Sequence, residues 1–499
     1  RGGKVKRLRA ALAAASAVAL LWQGTAMARL PFPEALPNLG QPADAKLSPQ
    51  KAQAMSNQDV AEMYAANYIV TDPQLQNLID SVGWRLAVNG TMHPPAFRFL
   101  LLASSSINAE TIPGTTIGVN VGSIAGVANV SELASVLAHE EAHVTQNHIA
   151  RRMARPVADS LARWAGVLAV TGAALATGSG GQAAVGGLLA GESVNAQSYI
   201  DYTRRMEMGS DRVEVGTLER AGYNPVAMAD LFRKLEKQSQ LYGYVPPAFD
   251  QTPPLSARIA QAAERAEEFH PVHLPFSISF ALMRARARVL EANLPSDALV
   301  YFHTELDSGH ATPGNRYGYA MALHELDHNR QALTALRPLL AAWPGQRNVL
   351  LLESRIYRGL DQTPRAVRID EQVLHANPDY EPAILRTAAD LIADGRPRRA
   401  RGVLLDDHPS YGSSPRMWQL MARADLALHN KGDAAFDMSN YYIAREQTVI
   451  AVRELDAGLR LGSISAPERA RLEARRQQLL RSMPAKALQA LHQSETPNA

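Results

Sequence analysis

Apolar positions along the chain predict a protein built mainly from α-helices. Between residues 47 and 270 most apolar positions recur at helical spacing, and the run VSELASVLAHEEAH continues that spacing without a proline or glycine. Two stretches favour strands instead, a short patch at Phe97–Ala103 and a Gly/Val/Ile-rich segment at Ile112–Ile124. The pattern therefore predicts a mainly α fold with a small β edge.

Small residues in the C-terminal part recur with a period of 34 residues. One register is Ala332, Ala366, Ala400 and Ala434, a second is Ala320, Ser354, Ala388 and Ala422, and prolines close successive units at Pro344, Pro378 and Pro409. This period is typical of tetratricopeptide helix pairs, although an Ala-rich helical region could produce it by chance. We predict a helix-pair solenoid over residues 280–480, able to hold peptides or partner proteins on its concave face and separable from the preceding domain. We expect residues 484–499 to form a loose polar tail.

The N-terminal residues have the layout of a secretory signal peptide. A basic start precedes an uncharged apolar run from Ala10 to Trp22, and Ala26 and Ala28 provide a small-x-small cleavage signal. We therefore expect residues 1–28 to be a signal peptide and residues 29–46 a Pro-rich leader, with the mature protein in the periplasm. The alternative is an uncleaved membrane anchor.

A second uncharged stretch runs from residue 164 to residue 191 and contains eight glycines. Each glycine costs a helix about 1 kcal/mol relative to alanine, which disfavours one continuous spanning helix. Two short apolar helices around a Gly-rich turn fit better, packed in the protein or in peripheral contact with a membrane surface.

Composition limits the possible chemistry. The 499 residues are 46% hydrophobic and 20% charged, which suits a soluble protein of two or three domains. A net charge of +3, without an aromatic-rich basic patch, does not indicate nucleic-acid binding. The chain has no cysteine, so a metal would have to be bound by His, Asp or Glu.

The stretch LAHEEAHVTQNH contains the pattern His-Glu-x-x-His. Because each helical residue turns about 100°, His139 and His143 lie one turn apart on one face, where two imidazoles can share a tetrahedral zinc. Glu140 lies beside them and could act as a general base. Glu141 points to the opposite side and is expected to be solvated, and His148 is not expected to be a ligand. The alternative to a zinc site is that the pattern occurs by chance on a helix surface.

A catalytic zinc usually has three protein ligands, and TRRMEMGSDR offers a third. Glu207 and Asp211 lie four residues apart, again on one helical face. One carboxylate could complete the metal site, and the other could transfer protons to the leaving amine. An exposed acidic pair among arginines is the alternative.

The two motifs together resemble the zinc metallopeptidase family that includes HtpX and the CAAX prenyl proteases. SINAETIPGTTIGVNVGSI and LERAGYNPVAM resemble the family's segments around these motifs, and the resemblance covers nearly the whole mature chain. It implies a helical zincin-like metallopeptidase domain over residues 47–275, with one Zn²⁺ per chain. The implied zinc ligands are His139, His143 and Glu207, the implied general base is Glu140, and the implied proton donor is Asp211.

With an export signal and a repeat array, the match is to periplasmic members that act on unfolded or misassembled outer-membrane proteins. The array would bind clients or the outer-membrane β-barrel assembly machinery. The strand at Thr116–Gly122 could pair with an extended substrate by strand addition. Two alternatives stay open, a non-proteolytic chaperone or adaptor with a silent or structural metal site, and a membrane-anchored protease.

The chain departs from the family pattern at two places. Gly209 and Ser210 replace the usual Glu-Ala inside the second motif, a change expected to affect packing more than chemistry. Pro253 stands where relatives commonly carry a histidine able to occupy the metal's open position. Because proline has no donor atom, we expect weaker self-inhibition in this protein.

Overall fold

The computed structural model of the chain describes residues 47–153, 193–242, 255–270, 272, 274–405, 414–484, 487–489 and 491. The predicted signal peptide and leader, the uncharged stretch 164–191 and Pro253 lie outside these residues. The described residues all belong to one compact unit, Pro42–Ala499. Among them, no helix combines the length and the apolar character needed to cross a membrane.

Helices dominate the N-terminal part, as the apolar spacing predicts. They are α1 (Pro49–Ala65), α2 (Pro73–Gly90), α3 (Val121–Gly126), α4 (Val130–Thr145), α5 (His148–Met153), α6 (Ser193–Arg220), α7 (Ala227–Tyr242) and α8 (Leu255–Ala266). Asp72 caps α2, because its side chain accepts a hydrogen bond from the backbone N–H of Leu75, and Pro73 occupies the first helical position.

Three short strands form one sheet in the order β1-β3-β2. They are β1 (Arg98–Leu102), β2 (Ala109–Ile112) and β3 (Thr116–Asn120). β1 runs parallel to β3, with Arg98 opposite Thr116, and β2 runs antiparallel to β3, with Ile112 opposite Thr116. Gly114, with a φ of 88°, lies in the tight turn that joins β2 to β3.

The sheet confirms the predicted strand at Phe97–Ala103 and corrects the second prediction. Residues 112–124 are not one strand, because they contain the end of β2, the turn, β3 and the start of α3 at Val121. The expected substrate strand at Thr116–Gly122 is wrong. β3 is the central strand and is hydrogen-bonded on both sides, so it has no free edge for another chain.

The C-terminal part is a solenoid of helix pairs. Its helices are α9 (Ile278–Glu291), α10 (Pro295–Asp307), α11 (Pro313–Glu325), α12 (Asn329–Ala342), α13 (Arg347–Gly359), α14 (Thr363–Ala376), α15 (Glu381–Ala393), α16 (Pro397–Leu405), α17 (Pro415–Ala427), α18 (Lys431–Ala444), α19 (Thr448–Leu459) and α20 (Ala466–Ser482). Helices α11, α13, α15 and α17 begin 34 residues apart, and so do α12, α14, α16 and α18. The predicted period of helix pairs is therefore present in the fold.

The two registers of small residues lie where neighbouring helices touch. Each member is at most 3% exposed. A larger side chain at these buried positions would force the helices apart, which explains why only Ala and Ser occur there. The tail differs from expectation, because residues 487–489 are helical and Leu491 is buried against Leu479 and Met483.

The solenoid and the N-terminal part share a single apolar core. One cluster of buried residues includes Leu101 and Leu137 from the N-terminal part together with Phe302 and Leu352 from the repeats. Gln74 also donates a 3.0 Å hydrogen bond to Asn348 in a buried position. The expectation that the array can be detached without disturbing the rest is therefore wrong, because cutting near residue 280 would expose this core to water.

A buried ion pair joins the two parts at the same boundary. The Arg286 guanidinium donates to Asp72 over 2.6–3.0 Å, and the two residues are 5% and 8% exposed. Removing one partner of such a pair leaves an uncompensated charge inside the protein. The pair therefore fixes the solenoid to the start of α2.

We predict that Arg286→Met lowers the free energy of unfolding by about 3–5 kcal/mol, because it strands the Asp72 carboxylate in the core. The matched control is Arg233→Met, which breaks an equally short but half-exposed pair with Asp230 and should cost about 0–1 kcal/mol. Urea denaturation followed by circular dichroism measures both. Equal costs for the two variants would show that the Asp72–Arg286 pair does not hold the parts together.

Candidate metal centre

Helix α4 presents the first motif as the sequence predicts. The Asn129 side chain accepts hydrogen bonds from the backbone N–H groups of Ser131 and Glu132, which starts the helix. Asn147, with a φ of 54°, separates α4 from α5 two residues after Thr145. His139 and His143 therefore lie one turn apart, and their Nε2 atoms are 3.1 Å from each other.

Helix α6 brings the second motif against the first. Glu207 Oε2 lies 3.2 Å from His139 Nε2, and Glu207 Oε1 lies 3.6 Å from His143 Nε2. Tetrahedral zinc with bonds of 2.0–2.1 Å would separate its ligand atoms by about 3.3 Å. Glu207 reaches the two imidazoles through different oxygens, and one donor atom from each of the three residues lies within 4.8 Å of the others, so these side chains could hold a divalent metal.

The surroundings of this triad favour positive charge. Burial alone would raise the pKa of Glu207. Hydrogen bonds with His139 and His143 outweigh burial and hold this pKa well below its usual range. Burial lowers the pKa of His139, yet hydrogen bonds with Asp211, Glu207 and Glu214 raise it well above its usual value. Carboxylates that hold a proton on a buried imidazole would equally attract a metal cation.

The far side of the His139 ring is held by two buried carboxyl groups. His139 Nδ1 lies 3.2 Å from Asp211 Oδ1 and 3.3 Å from Glu214 Oε2. Asp211 also accepts two hydrogen bonds from the Arg258 guanidinium, at 2.6 and 3.0 Å, and both residues are 1% exposed. Glu214 accepts a hydrogen bond from Ser135, and burial raises its pKa. A carboxylate that accepts the Nδ1 proton presents the lone pair of Nε2 to a metal.

Glu140 faces the sheet. Its Oε2 accepts a 2.7 Å hydrogen bond from the hydroxyl of Thr111 in β2, and the residue is 8% exposed. This bond fixes the carboxylate against β2. The outer edge of β2 pairs with no other strand among the described residues. A general base placed beside a strand edge would stand next to any chain that pairs with that edge.

Known proteins are similar in sequence to the peptidase part and to most of the chain's length. The model of peptidase family M48 matches residues 73–266. The β-barrel assembly-enhancing protease of Escherichia coli strain K12 is 30% identical over 458 residues, which cover 89% of this chain and 91% of the relative. The β-barrel assembly-enhancing protease of Yersinia pestis is 32% identical over 466 residues, which cover 91% of this chain and 93% of the relative. A putative enzyme of this kind from Vibrio cholerae is 32% identical over 319 residues. The chain belongs to peptidase family M48.

Membership in M48 makes the chain a metallopeptidase and confirms the family resemblance. It also argues against the alternative of a non-proteolytic adaptor. The structure brings four of the predicted residues, His139, His143, Glu207 and Asp211, into contact, and Glu140 follows His139 on α4.

One expectation about this M48 site is wrong. Glu141 is not solvated, because it is 4% exposed and burial raises its pKa to about 9. The effect of Ser210 in place of alanine stays a prediction, and its hydroxyl lies 3.4 Å from His148 Nδ1 inside the protein.

His148 supports the metal centre from the helix after the break. Its Nδ1 lies 3.2 Å from His143 Nδ1, and it is 2% exposed. Burial, followed by the proximity of His143, lowers the pKa of His148 to about 3, so the ring is neutral and its Nδ1 can accept a proton donor. When His143 binds a metal through Nε2, its Nδ1–H can donate to His148, which fixes the ring.

Sequence reasoning missed four contributors to this site: Thr111, His148, Glu214 and Arg258. The sequence could have indicated one of them, Glu214, because it is seven residues after Glu207 and therefore on the same helical face. The other three reach the site from β2, α5 and α8, and no spacing within either motif indicates them.

We predict that His148→Ala weakens metal binding by about 10- to 100-fold, because His143 loses the acceptor that orients it. Competition with a chromophoric chelator measures the affinity without using activity. His303→Ala is the control, since that side chain is exposed on α10 and its described contacts are with Asp307 and the Tyr319 ring, away from the metal centre. Unchanged affinity in the His148 variant would rule out this role.

Proposed function

We propose that the chain is a zinc endopeptidase of the bacterial envelope that acts on unfolded or misassembled outer-membrane proteins. The observation that carries the proposal is the set of three clustered donors, of which His139 and Glu207 are buried and His143 is partly buried, with Glu140 beside them on α4. The names of the relatives, which are β-barrel assembly-enhancing proteases, support the substrate class and the envelope location.

Zinc suits the donor set better than other common cations. Two imidazoles and one carboxylate are the ligands of many catalytic zinc sites, whereas calcium and magnesium prefer oxygen donors. Bound zinc would lower the pKa of water and polarise the scissile carbonyl. We expect one Zn²⁺ per chain.

Glu140 is the proposed general base. It would accept a proton from the attacking water and pass it to the departing amine nitrogen. The Thr111 hydroxyl, which donates to Glu140 Oε2, would hold the carboxylate in place during both transfers. Proton transfer by a positioned side chain typically contributes 10²–10⁴-fold to a rate.

For Asp211 the geometry favours a positioning role over the proton donation that the family resemblance implies. Its carboxylate faces His139 Nδ1 and is held by Arg258 on both oxygens. Burial raises its pKa, but the contacts with His139 and Arg258 lower it overall. A carboxylate in such a pair stays ionised and has no proton to give, so we propose that it orients His139.

The outer edge of β2 is the better candidate for pairing with an extended substrate. Its other edge is occupied by β3, and Thr111 within it contacts Glu140. The outer edge of β1 is already covered, because Val70 donates to Leu101 and Ala103 donates to Tyr68. Strand addition at β2 would provide backbone affinity with little sequence preference, as an enzyme for unfolded proteins requires.

The solenoid is proposed to be a tetratricopeptide array that recruits clients or the β-barrel assembly machinery. Its 34-residue period and its buried small residues support this assignment.

Three features stay predictions: the cleavable signal peptide, the membrane contact through residues 164–191, and the weaker self-inhibition expected from Pro253. Sequencing the N-terminus of the mature protein distinguishes export from retention on a membrane anchor.

We predict that purified protein binds about one zinc per chain, and that His139→Ala or His143→Ala removes it. Loss of one of three protein ligands leaves the ion poorly held. Elemental analysis after refolding with zinc measures the content. His375→Ala, a change within α14 of the solenoid, is the control and should retain the metal. Wild-type protein that takes up no zinc would contradict the proposal.

We predict that Glu140→Gln abolishes peptide cleavage but leaves zinc content and fold intact. Glutamine is nearly isosteric with glutamate but cannot accept the proton. Cleavage of an unfolded protein substrate is the measurement. Glu141→Gln is the matched control, because Glu141 is buried with a pKa of about 9 and is already neutral at pH 7. Cleavage by the Glu140 variant at the wild-type rate would move the base elsewhere.

A further inference from the structure

A large cavity separates the solenoid from the peptidase part on the side of α2. Its volume is about 1340 Å³, and it is lined from one side by α2 and β1 and from the other by α13, α15, α17 and α18. Small-molecule sites usually have volumes of about 300–1,000 Å³. This cavity is therefore large enough for a longer ligand.

Arginine is the prevailing charged residue of the cavity wall. Seven arginines contribute to the lining and face five carboxylate residues. Three of the arginines already have carboxylate partners: Arg286 binds Asp72, Arg98 binds Glu446, and Arg355 binds Glu325. In each pair the carboxylate neutralises the arginine, so these three arginines offer no net positive charge to a ligand.

Among the described contacts, none of the other four arginines has a carboxylate closer than 3.7 Å. Arg416 donates to Gln419, Arg475 to Gln478 and Asn440, and Arg445 to Tyr441 and the backbone carbonyl of Tyr64. All these acceptors are uncharged. Positive groups with neutral partners in a recessed space favour the entry of an anion.

Arg386 shows the same excess of positive charge. The nearest carboxylate, Asp390, is 3.7 Å away and already binds Arg358 at 2.6 Å. Burial, together with the neighbouring Arg355, lowers the pKa of Arg386 to about 10. A ligand carboxylate would relieve this repulsion and could accept two parallel hydrogen bonds from one guanidinium.

Apolar side chains also line the cavity. Trp418 and Tyr441 provide aromatic surface, and Leu351 and Leu385 provide aliphatic surface. A recessed helix-pair surface that combines apolar and cationic side chains suits an extended polypeptide with acidic and apolar residues. A flat membrane surface fits poorly, because the cavity is recessed between two parts of the protein.

We propose that this cavity binds an acidic segment of an extended polypeptide, held chiefly by Arg386 and Arg416. The proposal deepens the proposed function, because it gives the enzyme a second contact with its client, away from the metal centre. It rests on that function only for the identity of the client. The binding itself requires no cleavage.

The test uses full-length protein carrying Glu140→Gln and two fluorescent 12-residue peptides. One alternates Asp and Glu with Val and Leu, and the other replaces every acid by its amide. Fluorescence anisotropy should show at least about tenfold tighter binding of the acidic peptide, since hydrogen bonds to charged groups are worth about 1.5–3 kcal/mol. The preference should shrink as salt rises.

Arg386→Gln/Arg416→Gln should reduce binding of the acidic peptide by about tenfold or more and leave the amide peptide unaffected. The matched control is Arg330→Gln/Arg368→Gln, which removes the same charge from exposed positions on α12 and α14 outside the cavity. Thermal unfolding of both double variants checks that they are folded.

Three results would overturn the proposal: equal affinity for the two peptides, an unchanged affinity in the cavity variant, or an equal loss in the control variant. Vesicles with and without anionic lipid form a further arm. Lipid binding that depends on Arg386 and Arg416, without peptide binding, would assign the cavity to a headgroup instead. Zinc content and cleavage of a neutral peptide by the wild-type protein are measured separately, so failure of the cavity is distinguishable from failure of the peptidase.

Discussion

The burial of three carboxyl groups on one face of α6 is the constraint around which the metal centre is built. Glu207, Asp211 and Glu214 are each at most 8% exposed, and buried charges are costly unless they are paired. The neighbouring elements supply the compensation. Arg258 comes from α8, His139 from α4, and Ser135 donates to Glu214. The contacts of α4 and α8 with α6 therefore follow from this one electrostatic requirement.

The sequence predicted features that depend on spacing along the chain. The placement of His139 with His143 and of Glu207 with Asp211 follows from the turn of one helix. The 34-residue registers of small residues follow from the length of one repeated helix pair. Features that depend on packing between distant segments could not be predicted. The central position of β3, the burial of Glu141 and the contact between His148 and His143 require knowledge of which elements meet.

The continuous core changes how the repeat array should be understood. In an isolated solenoid each repeat contacts only its neighbours, and the array can be removed without loss elsewhere. Here Arg286 of α9 neutralises Asp72, which also caps α2, and Gln74 at the start of α2 binds Asn348 of α13. The array is therefore part of the scaffold of the peptidase, and the cavity with its arginines exists only because the two parts fold together.

The charges around the proposed zinc site also suit the reaction. Glu207 and Asp211 have lowered pKa values, and Arg258 is the buried cation that contacts Asp211. A divalent cation would offset the negative charge that these carboxylates concentrate. When Glu140 accepts a proton, the site would gain one unit of positive charge. That gain would arise at the moment when negative charge develops on the carbonyl oxygen of the substrate, so the site would stabilise the transition state more than the bound peptide.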